Sequence, residues 1–182
     1  MNMLASRGQL RASFLRWALF TVPLCVLLGF LSGRLGSPDT AWFQSLVKPG
    51  IYPEPKWFGI VWTILYVMIG FALALVASAW GARGRTAALW VFAVHFALNL
   101  AWSYVFFGAQ QISGALALLV AIVLTLLVVI ALFWRVRRLA AVLLLPYLAW
   151  VCFATALNYQ FLQLNPQADG GTPEGAVERV RI

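Results

Sequence analysis

Five apolar stretches, residues 14–33, 57–80, 87–107, 112–134 and 139–163, are each long enough at 1.5 Å per residue to cross the ~30 Å hydrocarbon core of a bilayer. Apart from Arg16 near the start of the first, none contains Lys, Arg, Asp or Glu. In hydrocarbon a lipid-facing backbone must pair its own N–H and C=O groups, so stretches of this kind are helices. The expected fold is an all-α integral membrane protein, a bundle of five transmembrane helices over residues 14–163. It follows an N-terminal segment, 1–13, and precedes a tail, 164–182, whose low hydrophobicity predicts disorder. With 63% hydrophobic and 10% charged residues among 182, the sequence offers no stretch for a separate soluble domain.

The net charge of +8 would suit a nucleic-acid partner, but its distribution points to a bilayer instead. Arg7 and Arg11 precede the first stretch and Arg16 stands at its start, Arg83 and Arg85 separate the second from the third, and Arg135, Arg137 and Arg138 separate the fourth from the fifth. All eight fall on one side of a five-span bundle. The positive-inside rule then makes the N-terminus cytoplasmic, puts the long first loop outside and favours a bacterial inner membrane. No nucleic-acid partner is expected.

Within the third stretch, His95, Asn99, Trp102 and Phe106 recur at steps of four, three and four and share one helical face. Polar groups on that face need partners inside the bundle, because an unpaired one in hydrocarbon costs several kcal/mol. Asn158 in the fifth stretch, or the polar edge of a ligand, is the expected partner of Asn99. His95 is the one histidine, read either as a hydrogen-bonded packing residue or, less readily, as an axial ligand to haem. No metal-ligand spacing occurs, and Cys25 and Cys152 read as small buried hydrophobes.

The remaining inward candidates are aromatic. Trp62 and Tyr66 lie along one side of the second stretch with Phe58, Gly59 and Thr63; Trp150, Ala154, Leu157 and Asn158 follow Pro146 in the fifth. Flat π surfaces suit a flat hydrophobic ligand such as a porphyrin or sterol. The first loop, 34–56, holds Trp42, Phe43 and the prolines Pro49, Pro53 and Pro55; it is stiff and predicts a cover over one end of the bundle. Gly29 and Gly33 in the first stretch read as a close-packing motif. Without acidic pairs or nucleotide loops, any chemistry would be redox or photochemical at indoles.

Several motifs coincide with one family. WFQSL (42–46), Lys48-Pro49, YPEP (52–55), GIVWTILY with Trp62 and Tyr66, ALNLAW with Asn99 and Trp102, FFGAQ, PYLAW with Trp150 and FATALNY resemble the translocator proteins, also called tryptophan-rich sensory proteins or peripheral-type benzodiazepine receptor homologues. The resemblance implies a five-helix bundle, often a homodimer, that binds porphyrins, and in some members cholesterol and synthetic ligands, in a pocket under the first loop, with a sensory, regulatory or transport outcome. Porphyrin or haem would be a ligand rather than an obligatory cofactor, and the bilayer and a second copy the other partners.

By the same resemblance, Trp62 and Trp150 match the tryptophans linked to light-dependent breakdown of protoporphyrin IX, and Phe43, Pro53, Asn99, Trp102, Ala154 and Leu157 match pocket positions. Three departures stand out: Pro53-Glu54-Pro55 in place of a double proline, Ile51-Tyr52 after the Lys-Pro pair, and His95 where glutamine or asparagine is common. A sterol-recognition pattern begins with Leu157 and Tyr159, but Gln160 to Pro166 supply no basic residue.

Overall fold

The structure, a computed structural model, describes residues 6–171. Its elements are α1 (Arg7–Leu35), α2 (Ala41–Ser45), α3 (Pro55–Ala77), α4 (Arg85–Ser103) with a π-helical turn (Tyr104–Gly108), α5 (Ile112–Val136), α6 (Arg138–Leu143), α7 (Leu145–Leu164) and a 3₁₀ turn (Pro166–Ala168). Five helices are long and apolar enough to cross a membrane: α1, α3, α4 with its π turn, α5, and α6–α7 taken together. The all-α, five-helix fold is as the apolar stretches require.

α1 starts seven residues before its apolar stretch. Ser6 and Gln9 form a reciprocal capping box, Gln9 N–H donating to Ser6 Oγ at 3.2 Å and Ser6 N–H to Gln9 Oε1 at 2.8 Å. α1 packs on α3 through Thr21, whose hydroxyl donates to the Gly70 carbonyl at 2.8 Å, and through Gly29, which lies flat against the Tyr66 ring. Its last turns reach α4, where Ser32 donates to the Leu100 carbonyl at 2.6 Å and Gly36 meets the Ser103 carbonyl backbone to backbone. A Cβ at Gly36 would collide with that carbonyl, so glycine is required there.

The fifth span is broken at Leu144, two residues before Pro146, whose ring cannot follow an uninterrupted helix. The lower half of the bundle is solid, built on residues such as Ile69, Leu126, Phe133 and Tyr147. Near the first loop a second, aromatic cluster gathers Trp42, Phe43, Phe106, Leu157 and Phe161.

Two expectations are corrected. Residues 165–171 do not hang free of the bundle. Trp42 Nε1–H donates to the Ala168 carbonyl at 3.0 Å, Gly170 N–H to the Gln110 carbonyl at 3.0 Å, and Ser113 N–H to Asp169 Oδ1 at 3.0 Å. Polar residues order themselves here by pairing with exposed backbone rather than by burying apolar surface. The rest of the predicted disordered tail, 172–182, lies outside the described residues, as does 1–5 of the N-terminal segment. Cys25 is buried, whereas Cys152 is exposed on the outer face of α7.

Candidate functional site

The bundle is hollow under the first loop. A cavity of about 470 Å³, within the ~300–1,000 Å³ range of small-molecule sites, is walled by α1, α3, α4, α5 and α7 and covered by the loop. Of the residues singled out from the sequence, Phe43, Trp62, Tyr66, Asn99, Trp102, Phe106, Trp150, Ala154, Leu157 and Asn158 line it.

The cover is built locally. α2 is capped by Thr40, whose Oγ1 accepts the Phe43 N–H at 3.2 Å, and this short helix points Phe43 down into the cavity. Phe43 meets Phe107 edge-on at 5.0 Å and Tyr52 at 6.2 Å between ring centroids. Lys48 folds back, its Nζ donating to the Phe43 and Leu46 carbonyls and sitting 4.1 Å from the Phe43 ring centre. Burial lowers the pKa of the Lys48 ammonium.

The π turn sets the far wall. Ala109 N–H reaches the Tyr104 carbonyl, five residues back, and the widened turn brings Phe107 as well as Phe106 against Trp102. Trp102 and Phe106 stack with centroids 5.3 Å apart and planes at 21°. Phe58 meets Trp150 edge-on at 5.8 Å, and Trp62 stacks on Tyr66 at 5.2 Å.

Four buried polar side-chain atoms have no hydrogen-bond partner among the described residues: Asn99 Nδ2, Trp102 Nε1, Trp150 Nε1 and Asn158 Oδ1. All four belong to cavity-lining residues. Asn99 and Asn158 do not pair with each other; Asn158 Nδ2 donates instead to the Ile112 carbonyl at 3.3 Å. Orphaned buried polar atoms are rare and each costs about 1–3 kcal/mol, so four on residues lining one cavity set this part of the bundle apart from its solid lower half.

Three expected site residues lie elsewhere. Trp42 is buried behind the cover, edge-on to Phe106 at 5.8 Å. Pro53 is only partly buried and its neighbours Tyr52 and Pro55 line the cavity in its place. His95 sits below the cavity, 1% exposed, with Nδ1 2.9 Å from Thr125 Oγ1 and Nε2 3.1 Å from Tyr147 Oη. Thr125 already gives its hydrogen to the Ala121 carbonyl at 2.8 Å, so it accepts from Nδ1–H and leaves Nε2 to accept the Tyr147 hydroxyl. With both ring nitrogens paired to protein, His95 acts as a packing hub between α4, α5 and α7.

Sequence reasoning assigned α1 no part in the site, yet Gly29, Phe30, Gly33 and Arg34 line it, as do Phe107 and Phe161. Glycines carry no periodic signal toward a cavity, and Phe107 enters only because of the π turn.

The TspO/MBR family model matches residues 21–164. The tryptophan-rich protein TspO of Chlorobaculum tepidum is 39% identical over 147 residues, covering 80% of this chain and 93% of that protein. The tryptophan-rich sensory protein of Cereibacter sphaeroides is 35% identical over 151 residues, 82% of this chain and 92% of its own. Human translocator protein is 39% identical over 133 residues, 71% and 78% of the two chains. A match of this extent, on a five-span bundle with an aromatic cavity under its first loop, places the chain in the TspO/MBR family of integral membrane proteins.

Proposed function

We propose that the protein binds a flat, porphyrin-type tetrapyrrole in the cavity under the first loop and that binding serves a sensory, regulatory or transport role. The observation that carries this reading is that Asn99 Nδ2, Trp102 Nε1, Trp150 Nε1 and Asn158 Oδ1, all buried without partners among the described residues, belong to residues lining one aromatic cavity. Stacked and edge-on rings suit the faces of a macrocycle, and the orphaned N–H groups suit acceptors at its edge. The names of the relatives, sensory protein and translocator, agree with such a role. The arginine asymmetry supports a cytoplasmic N-terminus and a covered cavity on the outer side of a bacterial inner membrane.

Titration of the purified protein with protoporphyrin IX tests this. Saturable tryptophan quenching and a ligand-dependent rise in Tm are expected, both weakened when Trp62→Phe and Trp150→Phe are combined. Quenching that never saturates, with an unmoved Tm, leaves only a scaffold whose rings pack its own helices.

A second reading rests on Trp62 and Trp150 both facing the cavity. Indoles against a bound porphyrin could support its light- and oxygen-dependent breakdown. Illumination of the complex decides it: bleaching of the Soret band no faster than for porphyrin bound to albumin removes the enzymatic reading.

A further inference from the structure

The exposed part of the cavity wall is one-sided. Phe30, Gly33 and Arg34 from the end of α1, Gly59 and Thr63 from the start of α3, and the loop prolines Pro38 and Pro55 line the cavity and are themselves exposed. Every lining residue from α4, α5 and α7 is buried or partly buried. α1 and α3 are shut together lower down, where Gly70 abuts Val22 and Gly29 lies on the Tyr66 ring. Above that closure they separate: a Cβ built on either Gly33 or Gly59 meets nothing within 4 Å.

The result is a side window between two transmembrane helices. Gly33 and Gly59 stand about two and four residues inside the ends of their spans, roughly 3–6 Å at 1.5 Å per residue, so the window opens at the boundary between headgroups and acyl chains. The loop side, by contrast, is fastened. Asn165 clamps Val47, Trp42 is tied to Ala168, and Lys48 holds the end of α2.

Arg34 stands on the rim of the window. It leans on Phe30, with its guanidinium carbon 5.6 Å from the ring centre, and among the described residues it has no carboxylate partner; the ion pair there joins Lys56 to Glu54. Deeper in, Asn99 and Asn158, 6% and 2% exposed, line the same space, and Asn99 Nδ2 and Asn158 Oδ1 have no partner among the described residues. The route therefore runs from a cationic rim, past glycines, to buried hydrogen-bonding groups.

We propose that the cavity is loaded from the membrane through this α1–α3 window, and that Arg34 holds the acidic end of an amphiphilic ligand whose apolar body lies inside. The inference rests on the ligand-binding reading above and adds a route and a selectivity residue to it. A guanidinium at headgroup depth pairs well with a carboxylate, since charge-assisted hydrogen bonds are roughly twice as strong as neutral ones.

The full chain in phosphatidylcholine nanodiscs, mixed rapidly with protoporphyrin IX or its dimethyl ester, tests both parts by tryptophan quenching. Plugging the window with Gly33→Leu, or independently Gly59→Leu, is expected to slow association and dissociation together by about tenfold or more with a much smaller change in Kd. Loosening the cover with Asn165→Ala is expected to leave both rates within about twofold. Fast exchange in both plugged variants, or acceleration by Asn165→Ala alone, overturns the window and makes the loop the gate.

For Arg34, the free acid is expected to bind about tenfold tighter than the ester, and Arg34→Gln to erase most of that preference. An equal preference in wild type and Arg34→Gln overturns the anion seat. Loss of the preference in wild type when phosphatidylglycerol is added gives Arg34 to lipid phosphate, which also overturns it. No saturable binding of either compound to the wild type would sink the ligand-binding reading itself, a result distinct from all of these.

Discussion

Asn165 grips the peptide of Val47 from both sides: the Val47 N–H donates to Asn165 Oδ1 at 2.7 Å, and Asn165 Nδ2 donates to the Val47 carbonyl at 3.0 Å. One side chain just past α7 thereby mimics a strand neighbour for the first loop, and the same Nδ2 also reaches the Phe161 carbonyl at 3.0 Å.

Asn165→Ala should free the cover without opening the bundle. The expected outcome is a stability loss of about 1–3 kcal/mol and faster amide exchange across the loop, with exchange in α3 and α5 unchanged. Asn165→Asp, which can still accept from Val47 N–H but cannot donate to its carbonyl, should fall between. Hydrogen exchange at Val47 reads this directly, and full protection of Val47 in Asn165→Ala contradicts the clamp.

His95 is the hub of the lower bundle, and its replacement should cost stability rather than binding. His95→Leu strands the Tyr147 hydroxyl in a site 1% exposed, a penalty of about 1–3 kcal/mol, while Thr125 keeps its bond to Ala121. His95→Gln, able to donate and accept, should recover part of the loss. In neither variant should the Soret band of added haem differ from wild type; a shift confined to the variants would make His95 an iron ligand.

How much of this could be read from residue order depends on what each residue uses to hold its place. The spans are legible because hydrocarbon leaves a chain few options, and Asn99, Trp102 and Phe106 reach the cavity because a helical face is set by spacing. Spacing gives direction but not depth. His95 shares their face yet lies turns below, where the helices close up and Thr125 and Tyr147 take its nitrogens.

Gly29 and Gly33 look alike in sequence, although one is packed on Tyr66 and the other borders open space. Only the splay of α1 from α3 separates their roles. Residues 165–171 are polar and suggest disorder, but they bind through hydrogen bonds to backbone groups far away in the chain, which no local composition reports.

Asn99 should show opposite effects on the empty and the loaded protein. Asn99→Leu removes a buried amide whose Nδ2 has no partner, so the ligand-free protein should be unchanged or more stable. Binding should weaken by about tenfold, a loss near 1.4 kcal/mol, if that amide donates to the ligand. Trp150→Phe should behave the same way for its indole N–H. Thermal melts with and without protoporphyrin IX give both signs at once; a lower ligand-free Tm together with unchanged affinity would make these side chains structural.

Asp169 ties the cover to acid pH. Burial pushes its carboxyl up, but hydrogen bonds from Ser113 and from the backbone of Ser113 and Ile112 outweigh it and hold the pKa below the usual carboxylate value. A group depressed in the folded state contributes stability that is fully present above its unfolded pKa and is lost as pH falls through the folded one. The tie between residues 165–171 and the start of α5 should therefore hold at neutral pH and release only as pH falls below the range, near about 4, where an ordinary aspartate titrates. Amide exchange at Ser113 and Gly170 should rise there in wild type. Asp169→Asn keeps an oxygen acceptor but cannot titrate, so its exchange at those two amides should be flat across the same window; a matching acid rise in that variant would assign the effect to another group.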